Sequence, residues 1–321
     1  MKLSFHVIEK KILYVGLSIA LIVVSLALIT FKGFVWGIDF ESGLSVSVEI
    51  KDSTIEGLRS AMSPISGARI QNLGSSDNGR YKIRVGLVEG ENQVQATEKV
   101  TKLLSANYDS VVVLESNYIG AKFSSSLVSD SLKAVAIALV LILVYIWVRF
   151  KVAYSISAII PLMHDVVATL GFLSLIGYEI TSTTIAALLT IIGYSLNNTI
   201  VIFTRIRERL ADNREEGILL AANWGVNSSL TRTTYSSLTT LFAVIPLAIF
   251  ASGDVRCFAI SMIFGVVVGT YSSNFLAPNL LYIFGSTKAM DILKVEAKED
   301  LSDEAMAQRV LDEDKGPKIL V

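Results

Sequence analysis

The sequence predicts a polytopic α-helical membrane protein with one small α+β domain outside the bilayer, and three observations carry that prediction. Of 321 residues, 52% are hydrophobic and only 18% are charged, against about 25% charged in a soluble domain. Apolar runs long enough to cross a bilayer recur along the chain, and the mean hydropathy is +0.57. One block, residues 37–125, lacks such runs and alternates strand and helix patterns instead.

The same composition excludes several classes. A net charge of −1 gives no global field that would draw nucleic acid or an acidic substrate. One cysteine cannot form an internal disulfide, and with two histidines it leaves no zinc ligand set. Cys257 opens an apolar run and reads as a small buried hydrophobe. No cofactor loop and no nucleophile–base pair is present, so neither a cofactor nor an enzymatic activity is expected.

Ile12 to Phe31 is an uninterrupted apolar run after Lys10 and Lys11. At 1.5 Å per residue it reaches about 30 Å, the thickness of a bilayer core. A cleaved signal would have a shorter apolar region, about 7–15 residues, ending in a small-x-small site. This run leads instead into Phe31, Lys32, Phe34 and Trp36, so residues 1–36 read as an N-terminus and an uncleaved first span.

Within residues 37–125, Leu44–Ile50 alternates in period two, as a half-buried strand does. Thr54–Met62 reads as a helix with Ser53 as its N-cap. Arg69–Leu73 is a weak strand, Asp77-Asn78-Gly79 a turn, and Tyr81–Val88 the next strand. Glu91–Leu104 is helical, and Ser110–Glu115 is a β-branched strand. The order βαββαβ over about 75 residues suggests a ferredoxin-like α+β domain.

Five further apolar segments follow, Leu132–Val148, Tyr154–Ile176, Thr184–Phe203, Leu238–Ala251 and Cys257–Phe284. The fifth span of the chain starts earlier than its apolar core, near Thr233. With the first run they make six spans, the last five within residues 126–287. The connection 204–228 interleaves arginine and glutamate with Ile206, Leu210 and Ile218–Leu220, and reads as an amphipathic helical link at the interface. Residues 288–321 read as a short exposed helix or disorder.

Lysines and arginines set the orientation. Lys2, Lys10, Lys11, Arg149, Lys151, Arg205, Arg207, Arg209, Arg214, Arg232 and Lys288 fall on one side, while the turns Gly177–Thr181 and Ser252–Asp254 carry Glu179 and Asp254. Both termini are therefore expected in the cytoplasm, with residues 37–125 outside it.

Polar groups inside the spans are the candidate functional residues. His164 and Asp165 sit near mid-span after Pro161; such a pair lines a functional path or locks helices together. Asn197 and Asn198 donate and accept hydrogen bonds but carry no proton, and unpaired amides are disfavoured in hydrocarbon. They read as interhelical adhesive or as part of a coupling site. Arg232, where the fifth span enters, either anchors at the interface or pairs with Asp165 or with an acid on a partner. Gly265 and Gly269 form a G-x-x-x-G, which allows close helix packing.

Five stretches resemble one known family. Gly37-Ile38-Asp39-Phe40-Glu41-Ser42-Gly43 is similar to its G-x-D-F-x-G-G, and His164-Asp165-Val166 to its H-D-V. Gly193–Glu208, with Tyr194, Arg205 and Arg207, resembles its G-Y-S-x-N-D-T-x-x-x-F-D-R-I-R-E. Leu230-Thr231-Arg232-Thr233 resembles L-S-R-T, and Gly269-Thr270-Tyr271-Ser272-Ser273 matches G-T-Y-S-S. The family is SecF, the smaller subunit of the SecD–SecF complex of bacterial protein export, and the resemblance runs from Ile12 to about Phe284.

That resemblance implies half of a resistance-nodulation-division-type bundle of six helices, with a periplasmic domain after the first and residence in the bacterial inner membrane. It also implies a SecD partner, work beside the SecYEG channel on exported unfolded polypeptide, and YajC among the allowed neighbours. The family uses proton flow to help draw the polypeptide outward. Four departures stand out. Asn198 and Thr204 replace aspartates, Ser42 replaces a glycine, and Ile119-Gly120-Ala121 stands where relatives often have V-G-P. An asparagine cannot load a proton. A proton-carrying role then falls to His164, Asp165 or a partner's carboxylate, and the other reading is a structural subunit that stabilises SecD and the channel. An independent efflux pump is disfavoured, because such pumps need two halves and large outer domains.

Overall fold

The computed structural model describes residues 6–285 apart from 52, 66, 74–78, 87–91, 151 and 214–215. The expected turn at Asp77-Asn78, Lys2, Lys151, Arg214, Lys288 and the tail 288–321 lie outside those residues. Six segments are long and apolar enough to cross a membrane, and the chain is a multi-pass membrane protein. They are α1 (Lys11–Lys32), α5 (Ala121–Arg149), α6 (Val152–Ile176), α7 (Ser182–Asp212), α8 (Ile218–Phe250) and the rod Gly253–Gly285. The rod consists of α9 (Gly253–Tyr271), one π-helical turn (Ser272–Leu276) and α10 (Ala277–Gly285). Pro161 and Pro246 lie inside α6 and α8.

The spans exceed their apolar cores, because helix continues through polar turns once started. α5 begins at Ala121 behind the extended residue Gly120, ahead of the hydrophobic run. α8 begins at Ile218, earlier than Thr233. The connection 204–228 is therefore the end of α7 and the start of α8, with a short break at 213–217. Its apolar residues Ile206, Leu210, Ile218, Ala221 and Val226 are buried in one cluster. A Cβ on Gly225 would overlap the Ile206 side chain. The amphipathic pattern records a helix hairpin packing on itself and replaces the single surface-lying link expected.

The domain contains β2 (Gly43–Ile50), α3 (Ile55–Ala61), β3 (Arg69–Asn72), β4 (Arg80–Val85), α4 (Gln93–Ser105) and β5 (Val111–Ile119). Its sheet order is β3-β4-β2-β5, with every neighbouring pair antiparallel. Counted within the domain, the order 2-3-1-4 is that of a ferredoxin-like split βαβ. Leu44, Val46, Val48, Tyr81 and Ile83 pack with Leu58, Val100 and Leu104 of the helices. The cap of α3 is Thr54, whose Oγ1 accepts from Gly57 N at 3.1 Å, whereas the Ser53 hydroxyl donates back to Ile50 O. β5 runs to Ile119, past the expected end at Glu115, because it pairs with β2 as far as Gly43.

Three contacts tie this domain to the bundle. β1 (Val35–Trp36) pairs in parallel with β6 (Glu179–Ile180), the strand between α6 and α7. In α2 (Ile38–Glu41), the Asp39 carboxylate accepts from Ser182 N at 2.8 Å and Ser182 Oγ at 2.6 Å, capping α7. Gly37 is close enough that a Cβ would meet Thr181 Cγ2 at 2.6 Å. The polar face of the sheet adds a charge cluster. Lys82 Nζ lies 3.3 Å from Glu179 and 3.1 Å from Asp254, and Arg84 lies 3.5 Å from Glu179. Burial alone would lower the Lys82 pKa, but the two carboxylates outweigh it and raise the pKa above the ordinary value.

Candidate functional site

The centre of the bundle is where α6, α7 and the α9 rod meet, and small residues let them approach. A Cβ on Gly265 would overlap Ile191, and one on Gly269 would sit 3.2 Å from Ser195 Cβ and 3.4 Å from Asp165 Oδ2. The G-x-x-x-G of α9 thus receives the Ile191-to-Ser195 ridge of α7, one helical turn matched to another.

That approach surrounds Asp165, which has no exposed surface. His164 Nδ1 lies 3.0 Å from Oδ1. Ser195 Oγ donates to Oδ2 at 2.5 Å and Ser272 Oγ at 2.8 Å. Two hydroxyl donors and an imidazole satisfy a carboxyl group that hydrocarbon could not. The network extends along α7, where Ser273 Oγ donates to Ser195 O at 2.9 Å and Thr199 Oγ1 donates to Ser273 Oγ at 3.1 Å. Nearby, Thr233 Oγ1 donates to Asn274 Oδ1 at 3.0 Å, and Tyr271 OH donates to Tyr14 O at 2.8 Å. Ser272, Ser273 and Asn274 belong to the π-helical turn, whose extra residue per turn points successive polar side chains at α6, α7 and α8.

Chemically, His164 and Asp165 can share one proton across a 3.0 Å contact. His164 is buried and its Nε2 has no hydrogen-bond partner. A proton could therefore enter or leave at that nitrogen, with Nδ1 passing it to the carboxylate.

The other candidates divide. Asn198 is buried on α7 beside Thr199, whereas Asn197 is exposed. The two amides are thus not a joint adhesive, because consecutive helical residues lie about 100° apart. Arg232 is exposed on α8. It does not pair with Asp165, whose partners are His164, Ser195 and Ser272, so that expectation is corrected. Arg207 is buried, with its guanidinium 5.7 Å from the Phe150 ring centre, while Arg205 is exposed and pairs with Glu208 at 2.8 Å. Tyr194 is half-buried in the α7–α9 packing, and Gly193 is exposed with open space where a Cβ would be. Phe40 packs near Leu173, Ile180 and Cys257, and a Cβ on Gly43 would meet Val85 O at 2.8 Å. Ser42 has φ +52, alone among described non-glycine residues in being positive, which accounts for a glycine in relatives. Sequence reasoning missed Ser195, Ser272, Ser273 and Thr199 as the acid's environment. Their signal was hydroxyl residues in register with two glycines.

Comparison with known proteins places this geometry. A family model described as protein export membrane protein SecD/SecF, C-terminal, matches residues 99–287. The protein translocase subunit SecF of Calditerrivibrio nitroreducens is 35% identical over 287 residues, covering 86% of this chain and 92% of the relative. That of Sebaldella termitidis is 34% identical over 313 residues, covering 94% and 99%. The crystal structure of SecDF, a translocon-associated membrane protein from Thermus thermophilus, superposes with a TM-score of 0.81 at 27% identity. This chain is covered to 88% there but spans only 39% of the SecDF chain. By the family match, the identities and the shared six-helix architecture, the chain belongs to the SecD/SecF family of protein export membrane proteins, as a SecF-type member.

Proposed function

We propose that this chain is the SecF-type half of a SecD–SecF complex that assists Sec-dependent protein translocation, and that the His164–Asp165 pair is its proton-handling site. The observation that carries the second part is a fully buried carboxylate paired with an imidazole at the junction of three helices. An ionisable pair at that depth is costly and is kept where it works. Asn198, which cannot titrate, is not the carrier.

The partner reading rests on α7. Its face bearing Ala186, Thr190, Gly193 and Asn197 is exposed, and small polar residues suit close contact with another helix better than with lipid. The SecDF relative has more than twice this chain's span, and a SecD partner would supply the equivalent. Placement in the inner membrane with cytoplasmic termini follows from Lys10, Lys11, Arg149, Arg205, Arg207 and Arg209 at the end opposite the domain. SecYEG and the exported polypeptide are the expected neighbours, YajC a further one, and the role is non-enzymatic.

A second reading has its own support. With His164, Ser195 and Ser272 all engaged, Asp165 already has the partners of a structural lock. The test uses reconstituted SecD–SecF vesicles with and without a proton gradient. Asp165→Asn is expected to fold normally and to lose gradient-stimulated export. Full stimulation in that variant would leave the structural reading standing.

A further inference from the structure

On the domain-bearing side of the bundle, α5 stands away from α6 and α7 and leaves a cavity of about 700 Å³, within the range of small-molecule sites, about 300–1,000 Å³. Its walls are apolar, with Val135 of α5, Leu170 of α6 and Leu188 of α7 facing one another, and Phe34, Trp36 and Phe40 closing the end near the domain. A cavity so lined offers water few partners, and between membrane spans hydrocarbon is the medium that fills it. Trp36 is 40% exposed at this end, as amphipathic rings are at headgroup level.

A second pocket, about 260 Å³, adjoins the first and is polar, lined by Ser42, Arg69 and Arg84. The two pockets share Glu41. Arg84 is 6% exposed, and its Nε has no hydrogen-bond partner. Glu41 Oε2 lies 3.4 Å from Arg69 Nη1 and 3.9 Å from Arg84 Nη2. Both distances exceed the 2.7–2.9 Å of a tight charge-assisted bond, so these groups can exchange each other for a ligand at little cost. Glu179, 3.5 Å from Arg84, balances the set at two cations and two anions. The site therefore matches an amphiphile with long apolar chains and a head carrying one charge of each sign.

We propose that the paired pockets bind one phospholipid with an ethanolamine head. Its acyl chains occupy the apolar cavity, its phosphate meets Arg69 and Arg84, and its primary ammonium donates to Glu41. A choline head lacks those N–H donors, and a glycerol head lacks the positive charge.

Native mass spectrometry of the full chain in mild detergent, offered equal amounts of phosphatidylethanolamine, phosphatidylcholine and phosphatidylglycerol, tests this. One ethanolamine lipid per chain is expected, preferred about tenfold, the worth of one charge-assisted hydrogen bond. Glu41→Gln should bring the ethanolamine and choline lipids to parity, and Arg69→Ala should lower retention of all three, with thermal midpoints unchanged. Ser131→Trp, which fills the cavity from α5, should abolish retention. Should that bulky variant fail to fold, Glu41→Gln still decides. Equal retention of the three lipids by the native chain, an unchanged preference in Glu41→Gln, or a partner helix crosslinking to a cysteine at Val135 with no lipid bound would each overturn the proposal.

Discussion

The two faces of α7 differ more than any other neighbouring surfaces of the molecule. Inward, Ile191, Ser195, Asn198, Thr199 and Ile202 are buried, and the polar members among them adjoin the Asp165 network. Outward, Ala186, Thr190, Gly193 and Asn197 form a stripe that touches nothing described in this chain. The first face has found all its partners; the second has the composition of an interface and none. One helix thus both completes an internal polar centre and presents a surface for a neighbour, and the two adjacent asparagines fall on opposite sides of that division.

The largest expected effect comes from breaking the inward face sterically. Gly265→Leu should destabilise the bundle by about 3 kcal/mol, since α7 and α9 would have to separate around Ile191. Unfolding in mixed micelles measures it, and a midpoint within error of the native chain would show that the seam is loosely packed. Asp39→Ala should cost about 1 kcal/mol through loss of the α7 cap, read as earlier proteolysis between α2 and β6. On the outward face, Asn197→Leu should leave the chain's own stability unaltered and weaken co-purification with a SecD-type partner about tenfold, as one interhelical hydrogen bond can. The reverse pattern would mean that Asn197 serves the fold. Asn198→Asp should do least, because a protonated carboxyl of the same shape can stand in for the amide. Gradient-stimulated export at native rates would show that, and a collapse of export would return Asn198 to the centre of the mechanism.

The six spans and the domain order were legible because long apolar runs and period-two strands are local patterns. Helix ends were not, since Ala121–Ser131 and Ile218–Arg232 are polar stretches held helical by what precedes or follows them. At the site, His164 and Asp165 stood out as charges in an apolar run. Ser195 and Ser272 did not, because a serine in a helix gains meaning only from what faces it, 30 and 107 residues away from Asp165. The π-helical turn leaves no pattern in the sequence. Asp39 was visible as a motif residue, but its service as a cap for Ser182 depends on a contact 143 residues distant.

That cap has a mechanical consequence. α7 has 31 residues, about 46 Å of rigid rod at 1.5 Å per residue. Its first turn is bolted to the domain by Asp39 and the β1–β6 pair, and its middle rests against Asp165 through Ser195. A push at Ser195 cannot be absorbed locally in so stiff a member. It would tilt the whole rod, and the domain fastened to its end would swing with it.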